Sequence, residues 1–517
     1  MQYNKNLVGR DIPESVGKYK KLKPFTGDHD LVMPKSNVDT EWPAVTSFKR
    51  KLVPDIKTAI IKSGLKDGMT ISFHHHLRDG DYVLNLVMEE ISELGIKDLT
   101  ICASSLTSSH SKMIEYIKKG VVTGIETSGL RGELGKEISE NCILKNPVIF
   151  RSHGGRARAI TSGAIKIDVA FIAASCCDEM GNMNGRQGKS AFGSMGYPMM
   201  DARYAGRVIA ITDNLCAYPV YPMSIPQTLV DFVVVIDKIG DPNLMSKGAT
   251  RVTKNPMELL IADYACKVLI ASGLVKQNFS YQAGSGGISL AVIKRLKEYM
   301  KENEIVGSYA SGGITSSLVE LLEEGLFRSL FDVQTFDATA VDSLNKNLNH
   351  IEMDAGMYAS PQNKGCVVNN LDIMILSATE IDVDFNVNVI TSSFGHIMGA
   401  EGGHPDTAAG AKLTVVVTPS IRKRIPIIVD KVTTVVTPGI NIDAVVTERG
   451  IAVNPLNKEL REKLEASGLP IVSMEQLKNS VESITGKPEK AALGDKIVGI
   501  VEYRDGTVMD VIRNVLV

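Results

Sequence analysis

The residues of this chain that could do chemistry sit in short polar loops between its apolar runs. His74-His75-His76-Leu77-Arg78 and Arg151-Ser152-His153-Gly154-Gly155-Arg156, with Arg158, gather cations in a sequence otherwise balanced at 57 Lys and Arg against 59 Asp and Glu. An arginine fork matches a carboxylate through two parallel hydrogen bonds, so this cluster suits an anion carrying several carboxylates. The histidine run also raises the question of a metal. No cysteine or carboxylate stands beside it at ligand spacing, so no metal site is expected. Neighbours on a strand point to opposite faces, which lets at most two of the three rings converge.

Two glycine-rich loops add backbone donors. Gly284-Ser285-Gly286-Gly287 follows an apolar run and opens a helical pattern, leaving unpaired N–H groups at a positive helix end. Its spacing is neither G-x-G-x-x-G nor a P-loop, which argues against a dinucleotide or nucleotide-hydrolysing site. The loop from Phe394 to Asp406 has four glycines within residues 395–403, so a substrate can approach its main chain closely. Ser104-Ser105 and Ser311-Gly312-Gly313 are smaller loops of the same kind. There is no G-x-S-x-G elbow and no cysteine with a histidine partner, so these residues name no catalytic nucleophile.

Such loops need a scaffold, and the pattern around them supplies one. From Lys51 amphipathic helical stretches (53–65, 80–95) alternate with apolar strands (69–76, 98–105, 147–155, 167–175, 207–214, 231–237). That alternation implies parallel pairing with right-handed crossovers. A helical stretch at 256–274 follows Gly240-Asp241-Pro242, and the alternation restarts at 278–287. Short apolar runs continue from Met374 to Val446, and the chain closes with a helix at 456–468 and a hairpin turned at Asp505-Gly506. At 517 residues one core is too few. The expectation is two tandem open α/β domains with mostly parallel sheets: an extension at 1–45, then 46–250 and 251–517. In such sheets ligands bind at the carboxyl edge, where all these loops lie.

Composition narrows the class. Apolar content of 44% with 22% charged residues describes an ordinary globular protein. A net charge of −2 predicts neither nucleic acid nor a membrane surface as partner. Without a signal-peptide pattern or about 18 consecutive apolar residues, and with seven scattered cysteines, the chain reads as cytoplasmic with reduced thiols. Cys176-Cys177 and Trp42 read as packing residues.

Taken together, FHHHLRDGD (73–81), RSHGGRARAI (151–160), the 394–406 loop and VTTVVTPGINIDAVVTERGIAVNP (432–455) resemble the citrate lyase alpha chain family over essentially the whole length. More distantly, the second half resembles the acetyl-CoA hydrolase and 4-hydroxybutyrate CoA-transferase family. Gly284-Ser285-Gly286-Gly287-Ile288, Glu380-Ile381-Asp382-Val383-Asp384 and Val446–Ala452 carry that likeness, which implies a CoA-transferase-like fold in both domains. Those distant relatives use a nucleophilic glutamate in an H-T-E-M segment. Aligned on Leu318-Val319-Glu320-Leu321, it falls on Gly312.

The resemblance implies acyl exchange between citrate and an acetyl thioester without a covalent enzyme intermediate. The thioester carrier would be CoA or the phosphopantetheine-type group of a partner acyl carrier protein, with no cofactor bound by this chain itself. The implied partners are the beta (lyase) and gamma (acyl carrier protein) subunits of citrate lyase, and the chain would also self-associate. Cleavage of citryl thioester would belong to another chain, since no acidic Mg²⁺ site is evident here. His74, His76, Arg78, Ser104, Arg151, His153, Gly154 and Gly155 are then expected to bind substrate. Gly284, Ser285, Gly286 and Gly287, with Gly399, Ala400, Glu401, Gly402 and Gly403, would line the thioester site; Gly284, Gly286, Gly287, Gly402 and Gly403 would provide its oxyanion donors. The alternative is a glutamate-dependent CoA-transferase or acyl-CoA hydrolase with Glu401, Glu448 or Glu380 as nucleophile, Glu380 being the least attractive. A non-catalytic scaffold that only docks the carrier would tolerate loss of these loops.

Overall fold

A computed structural model describes residues 2–5, 11–13, 15–16, 19–20, 51–246, 252–284 and 286–516. Among them no helix is long and apolar enough to cross a membrane. Trp42, most of the expected extension and the expected boundary near residue 250 lie outside the described residues.

Local signals set the elements. The helix Ile56–Ser63 begins where the Asp55 side chain accepts the Thr58 N–H at 2.7 Å and stops at Gly64, whose φ of 74° only glycine adopts without strain. The strand Thr70–Phe73 then runs into the core, and its last three residues are buried.

One sheet has ten strands, in the spatial order Val508–Val515, Leu493–Glu502, Val148–Arg151, Val122–Thr127, Leu99–Ala103, Thr70–Phe73, Val169–Ala174, Arg207–Thr212, Phe232–Val235 and Leu52–Val53. Every pairing is parallel except the hairpin between the first two. Strand order reverses between Thr70–Phe73 and Val169–Ala174, so the crevice where ligands bind opens past Phe73.

A second sheet has nine strands: His350–Glu352, Phe327–Thr335, Gly307–Ile314, Ser280–Ala283, Ile373–Leu376, Leu413–Val417, Ala444–Thr447, Gly450–Val453 and Ile471–Val472. Only Ala444–Thr447 and Gly450–Val453 run antiparallel. Its order reverses between Ser280–Ala283 and Ile373–Leu376. The mixed α/β architecture with large, mostly parallel sheets is the expected one.

The chain distributes itself between the sheets differently from a simple tandem. The terminal hairpin does turn at Asp505-Gly506, with the Tyr503 N–H donating to Thr507 O at 2.7 Å. It adds to the first sheet, however, pairing Gly499 with Val148 through Glu502 with Arg151. Val148–Arg151 would otherwise be an open edge, and Val498, Val501, Ile512 and Val515 bury the hairpin's apolar face. The main core likewise crosses between the halves, joining the first sheet to Val333, Tyr358, Ala359, Val367 and Ile397. Cys176 and Cys216 form a disulfide, with Cα atoms 6.2 Å apart, which corrects the reading of every thiol as reduced; Cys177 is free and buried.

Candidate active site

The loop leaving the first switch point and the strand Ser280–Ala283 at the second meet at one cleft of about 220 Å³. The first half contributes His75, Arg78, Ser105, Thr107, Ser128, Arg131, His153 and Tyr197; the second contributes Gln282, Gly313, Gln334, Phe336, Tyr358, Ala400, Gly402 and Gly403. Most lie at or just beyond the carboxyl end of a strand, which is why residues far apart in sequence meet. Roomier grooves beside Ile56, Tyr82 and Asp237, and beside Glu380, Asp430 and Lys490, lack this convergence.

The glycine-rich segment of the second half is stitched onto loops of the first. Leu130 N–H donates to Gly399 O at 3.0 Å, Glu401 N–H to Ser128 O at 2.8 Å and His153 N–H to Gly402 O at 2.8 Å. Gly129 faces Ala400 so closely that a Cβ there would overlap the Ala400 methyl. Ala400, Gly402 and Gly403 thus form a cleft wall. Gly399 lies behind it, crowded by Val389 O.

The helix His153–Ser162 supplies the facing wall. Ser152 caps it, accepting the Gly155 N–H at 3.0 Å, while the Asp406 carboxylate accepts the Gly154 N–H at 2.8 Å and the Ser152 hydroxyl at 2.9 Å. His153 Nδ1 and the Tyr197 hydroxyl are hydrogen-bonded at 2.9 Å. Burial lowers the His153 pKa to about 3, with Arg156 adding to the effect, so its imidazole is neutral at physiological pH.

Charge in the cleft is positive. The Arg78 guanidinium lies over the Phe336 ring, 5.2 Å from its centroid, and its Nη1 is buried without a hydrogen bond. Burial, then repulsion from Arg131, lowers its pKa. Neither Arg78 nor Arg131 has an ion-pair partner within 4 Å among the described residues. No Asp, Glu, Lys or Cys is among the described residues that line the cleft. Neutral polar groups complete it. Gln282 Nε2 donates to the Tyr358 hydroxyl at 2.7 Å, His75 Nδ1 meets Ser104 Oγ at 2.6 Å, and Gln334 Nε2 is buried without a partner. Such a surface can hold a multivalent anion and donate hydrogen bonds to it. It offers no carboxylate or thiol to attack it.

The structure re-sorts the residues expected from sequence. Arg78, His153, Ala400, Gly402 and Gly403 line the cleft. Ser104 sits behind His75, hydrogen-bonded to it. The strand ends at Phe73, so the alternation rule does not govern the histidines: His74 and His76 are 4.6 Å apart and His75 and His76 6.5 Å, centroid to centroid. It is His75 that faces the cleft. His74 Nε2 accepts the Ala173 N–H at 2.9 Å, and His76 stacks on Phe192 at 5.0 Å. Arg151 does not reach the cleft; its guanidinium is held by Glu126 and by Glu502 at 2.9 Å. Arg156 is buried in a fork on Asp201, at 2.7 and 2.9 Å. Gly154 and Gly155 offer substrate no N–H, since Asp406 and Ser152 occupy both. Gly284, Gly286 and Gly287 open the helix Gly287–Glu302 past the strand bearing Gln282, and do not line the cleft. Ser285 lies outside the described residues.

The three fallback glutamates separate as well. Glu380 accepts from Asn388 and Thr433, and Glu448 from Ser420 N–H at 2.9 Å; both are tied up in the second half. Glu401 is buried beneath the cleft wall with neither oxygen hydrogen-bonded, and burial, then Asp406 and Glu502, push its pKa well up. Sequence reasoning passed over Arg131, Gln282 and Gln334. Arg131 follows Ser128-Gly129 past a strand end, the same signal that marked the other loops. The two glutamines sit inside apolar strands, where nothing distinguished them.

A family model described as Citrate lyase, alpha subunit (CitF) matches residues 49–515. The citrate lyase alpha chain of Klebsiella pneumoniae is 50% identical over 476 residues, 92% of this chain and 94% of that one. A solved alpha subunit of citrate lyase from Streptococcus mutans, in complex with citrate, is 51% identical and superimposes with a TM-score of 0.91, covering 99% of this chain and 100% of that one. The 4-hydroxybutyrate CoA-transferase of Porphyromonas gingivalis shares the fold at 16% identity, with a TM-score of 0.53 over 84% of this chain and 97% of that one.

Proposed function

The chain belongs to the citrate lyase alpha-subunit family, a transferase component of citrate lyase, and from that premise we propose that its cleft joins citrate and an acetyl thioester in one ternary complex. Arg78 and Arg131 hold spectator carboxylates of citrate. The remaining carboxylate attacks the acetyl carbonyl, expelling the carrier thiolate and forming a mixed acetyl–citryl anhydride. The thiolate then attacks the citryl carbonyl, giving citryl thioester and acetate. The carrier is the phosphopantetheine-type group of an acyl carrier protein, or CoA in its place, and citrate cleavage falls to a lyase subunit of the same complex.

One observation carries this reading. The described cleft lining holds two arginines without ion-pair partners and no carboxylate or thiol of its own. With substrate as nucleophile, the protein has to orient two reactants, worth roughly 7–11 kcal/mol of barrier, and to stabilise oxyanions. Each aimed donor, with the Gly402 and Gly403 N–H groups as candidates, adds roughly 3–4 kcal/mol. Neutral His75 and His153 can hydrogen-bond to substrate without adding charge to that of the arginines.

Initial rates with both substrates varied test the ternary complex. Intersecting double-reciprocal lines are expected. Parallel lines would mean that acetate leaves before citrate enters, and the second reading would then hold: a glutamate-dependent transferase with Glu401, a buried carboxyl beside the cleft with neither oxygen hydrogen-bonded, as nucleophile.

A further inference from the structure

The first turn of the helix His153–Ser162 is held mainly from the far half of the chain. Its His153 N–H goes to Gly402 O and its Gly154 N–H to Asp406 Oδ2, each at 2.8 Å. Asp406 and Ser152 are completely buried, and Asp406 does not line the cleft. Behind Asp406 stands Arg504 of the terminal hairpin, its Nε 3.6 Å from Oδ1. Arg504 Nη2 in turn donates to Ala359 O at 3.1 Å and Asn369 Oδ1 at 3.3 Å. A Cβ on Gly154 would collide with Ala359 O and Asp406 Oδ1, so the fit leaves no slack.

We propose that Asp406, braced by Arg504, is a positioning residue: it seats the first turn of this helix, and so His153 and Tyr197, against the Gly402–Gly403 wall. A carboxylate at a helix amino terminus is favoured by the exposed N–H dipoles. Here it bridges the two sheets' loops at the cleft floor, and the terminal hairpin, by joining the first sheet, delivers the cation that keeps it in place. The hairpin Leu493–Val515 thereby becomes part of the site without touching substrate. The consequence for citrate rests on the proposed function; the local geometry does not.

The charged and titratable groups facing Asp406 are Arg504, Glu401, Tyr197, Tyr358, Cys366 and Tyr503. Burial lifts its pKa to about 6, against the pull of Arg504, the Gly154 N–H and the Ser152 hydroxyl. Protonation therefore removes the charge that Arg504 braces just below neutrality.

The full-length protein tests this with Asp406→Asn, Arg504→Ala and Arg504→Lys. Amide exchange at residues 152–156 and 399–403, without ligand, should accelerate by at least about tenfold in Asp406→Asn, which loses the charge of the hydrogen-bonded carboxylate, and in Arg504→Ala, which loses the ion pair bracing it, and recover in Arg504→Lys. Unchanged exchange there overturns the proposal. Citrate titration between pH 5.5 and 7.5 is the second arm. Citrate's own ionisation is common to every variant, so the wild-type affinity should fall more steeply towards acid than that of Asp406→Asn. Equal steepness, with Asp406→Asn merely less stable, would reduce Asp406 to a structural role. Wild-type protein that binds no citrate would sink the functional reading while leaving the exchange result to judge the relay.

Discussion

Gln282 occupies the space into which a side chain at Gly312 would project. The two residues stand on adjacent parallel strands, and a Cβ built on Gly312 would run into the Gln282 side-chain amide. Gln282 is fixed there, donating to Tyr358 and accepting from Ser311 Oγ at 3.0 Å. Gly312 itself has a φ of 98°, which side chains rarely adopt. The space beside Gly312, onto which the sequence resemblance would place a nucleophilic glutamate, is thus filled by a neutral amide at the cleft.

Gly312→Glu should therefore fail to restore a covalent route. It should cost about 1–3 kcal/mol of stability through overpacking and backbone strain, with no acyl-enzyme formed. Thermal unfolding and intact mass with acetyl-CoA read both effects. A stable variant carrying a thioester adduct would contradict this account of the cavity.

Arg131 and Arg151 should separate cleanly on mutation. Arg131→Ala removes a cation facing the cleft, and citrate affinity should drop roughly ten- to hundredfold, the worth of one charged hydrogen bond, with little change in melting temperature. Arg151→Ala leaves Glu126 without its partner and Glu502 with Arg158 alone, and should destabilise by about 3 kcal/mol, while the folded fraction still binds citrate. Calorimetric titration alongside thermal melts distinguishes them; the opposite pattern would return Arg151 to the site.

Acid should weaken the fold through its buried imidazoles. Burial lowers His74 and His404 to about 4 and His153 to about 3, and holds His75 and His76 well below 6.5. The unfolded chain takes up these protons first, so stability present above pH 6.5 is lost as pH falls towards 4. Each group contributes up to about 1.4 kcal/mol per pH unit. Denaturant midpoints measured from pH 7.5 down to 4.5 should fall steadily, and a flat profile would mean that these rings are not buried neutral.

Glu401 acts in the opposite direction. Its raised pKa means that the folded state keeps a proton the unfolded chain has released, so its contribution is lost as pH rises. That loss begins near the ordinary carboxyl value of 4.5, so it opposes the histidines across the same range, and Glu401→Gln midpoints should fall more steeply than the wild type's from pH 7.5 to 4.5. An identical slope would show the carboxyl already ionised and partnered.

Much of the scaffold was legible in the sequence, because alternating helical and apolar periods dictate parallel sheets with loops at one edge. Arg78, His153 and the Ala400–Gly403 wall followed from that edge rule. What could not be read was which cations are already paired. Arg151 looked free because one of its two carboxylate partners, Glu502, lies 351 positions away, on a terminal hairpin that joins Arg151's own sheet. The histidine run misled for a local reason: the strand stops at Phe73, so the order of facing is set by the turn that follows. Arg131 was accessible by the same rule as Arg78, whereas Gln282 is recognisable only once Gly312 is seen beside it.

If citrate itself attacks the acetyl thioester, acetyl-CoA alone never acylates the protein. Intact and peptide mass spectrometry of the protein incubated with acetyl-CoA alone, with borohydride to trap any enzyme thioester, tests it most directly. The chain should remain unmodified throughout, with acetate released only once citrate is added. A CoA adduct on a glutamate, Glu401 above all, would contradict it.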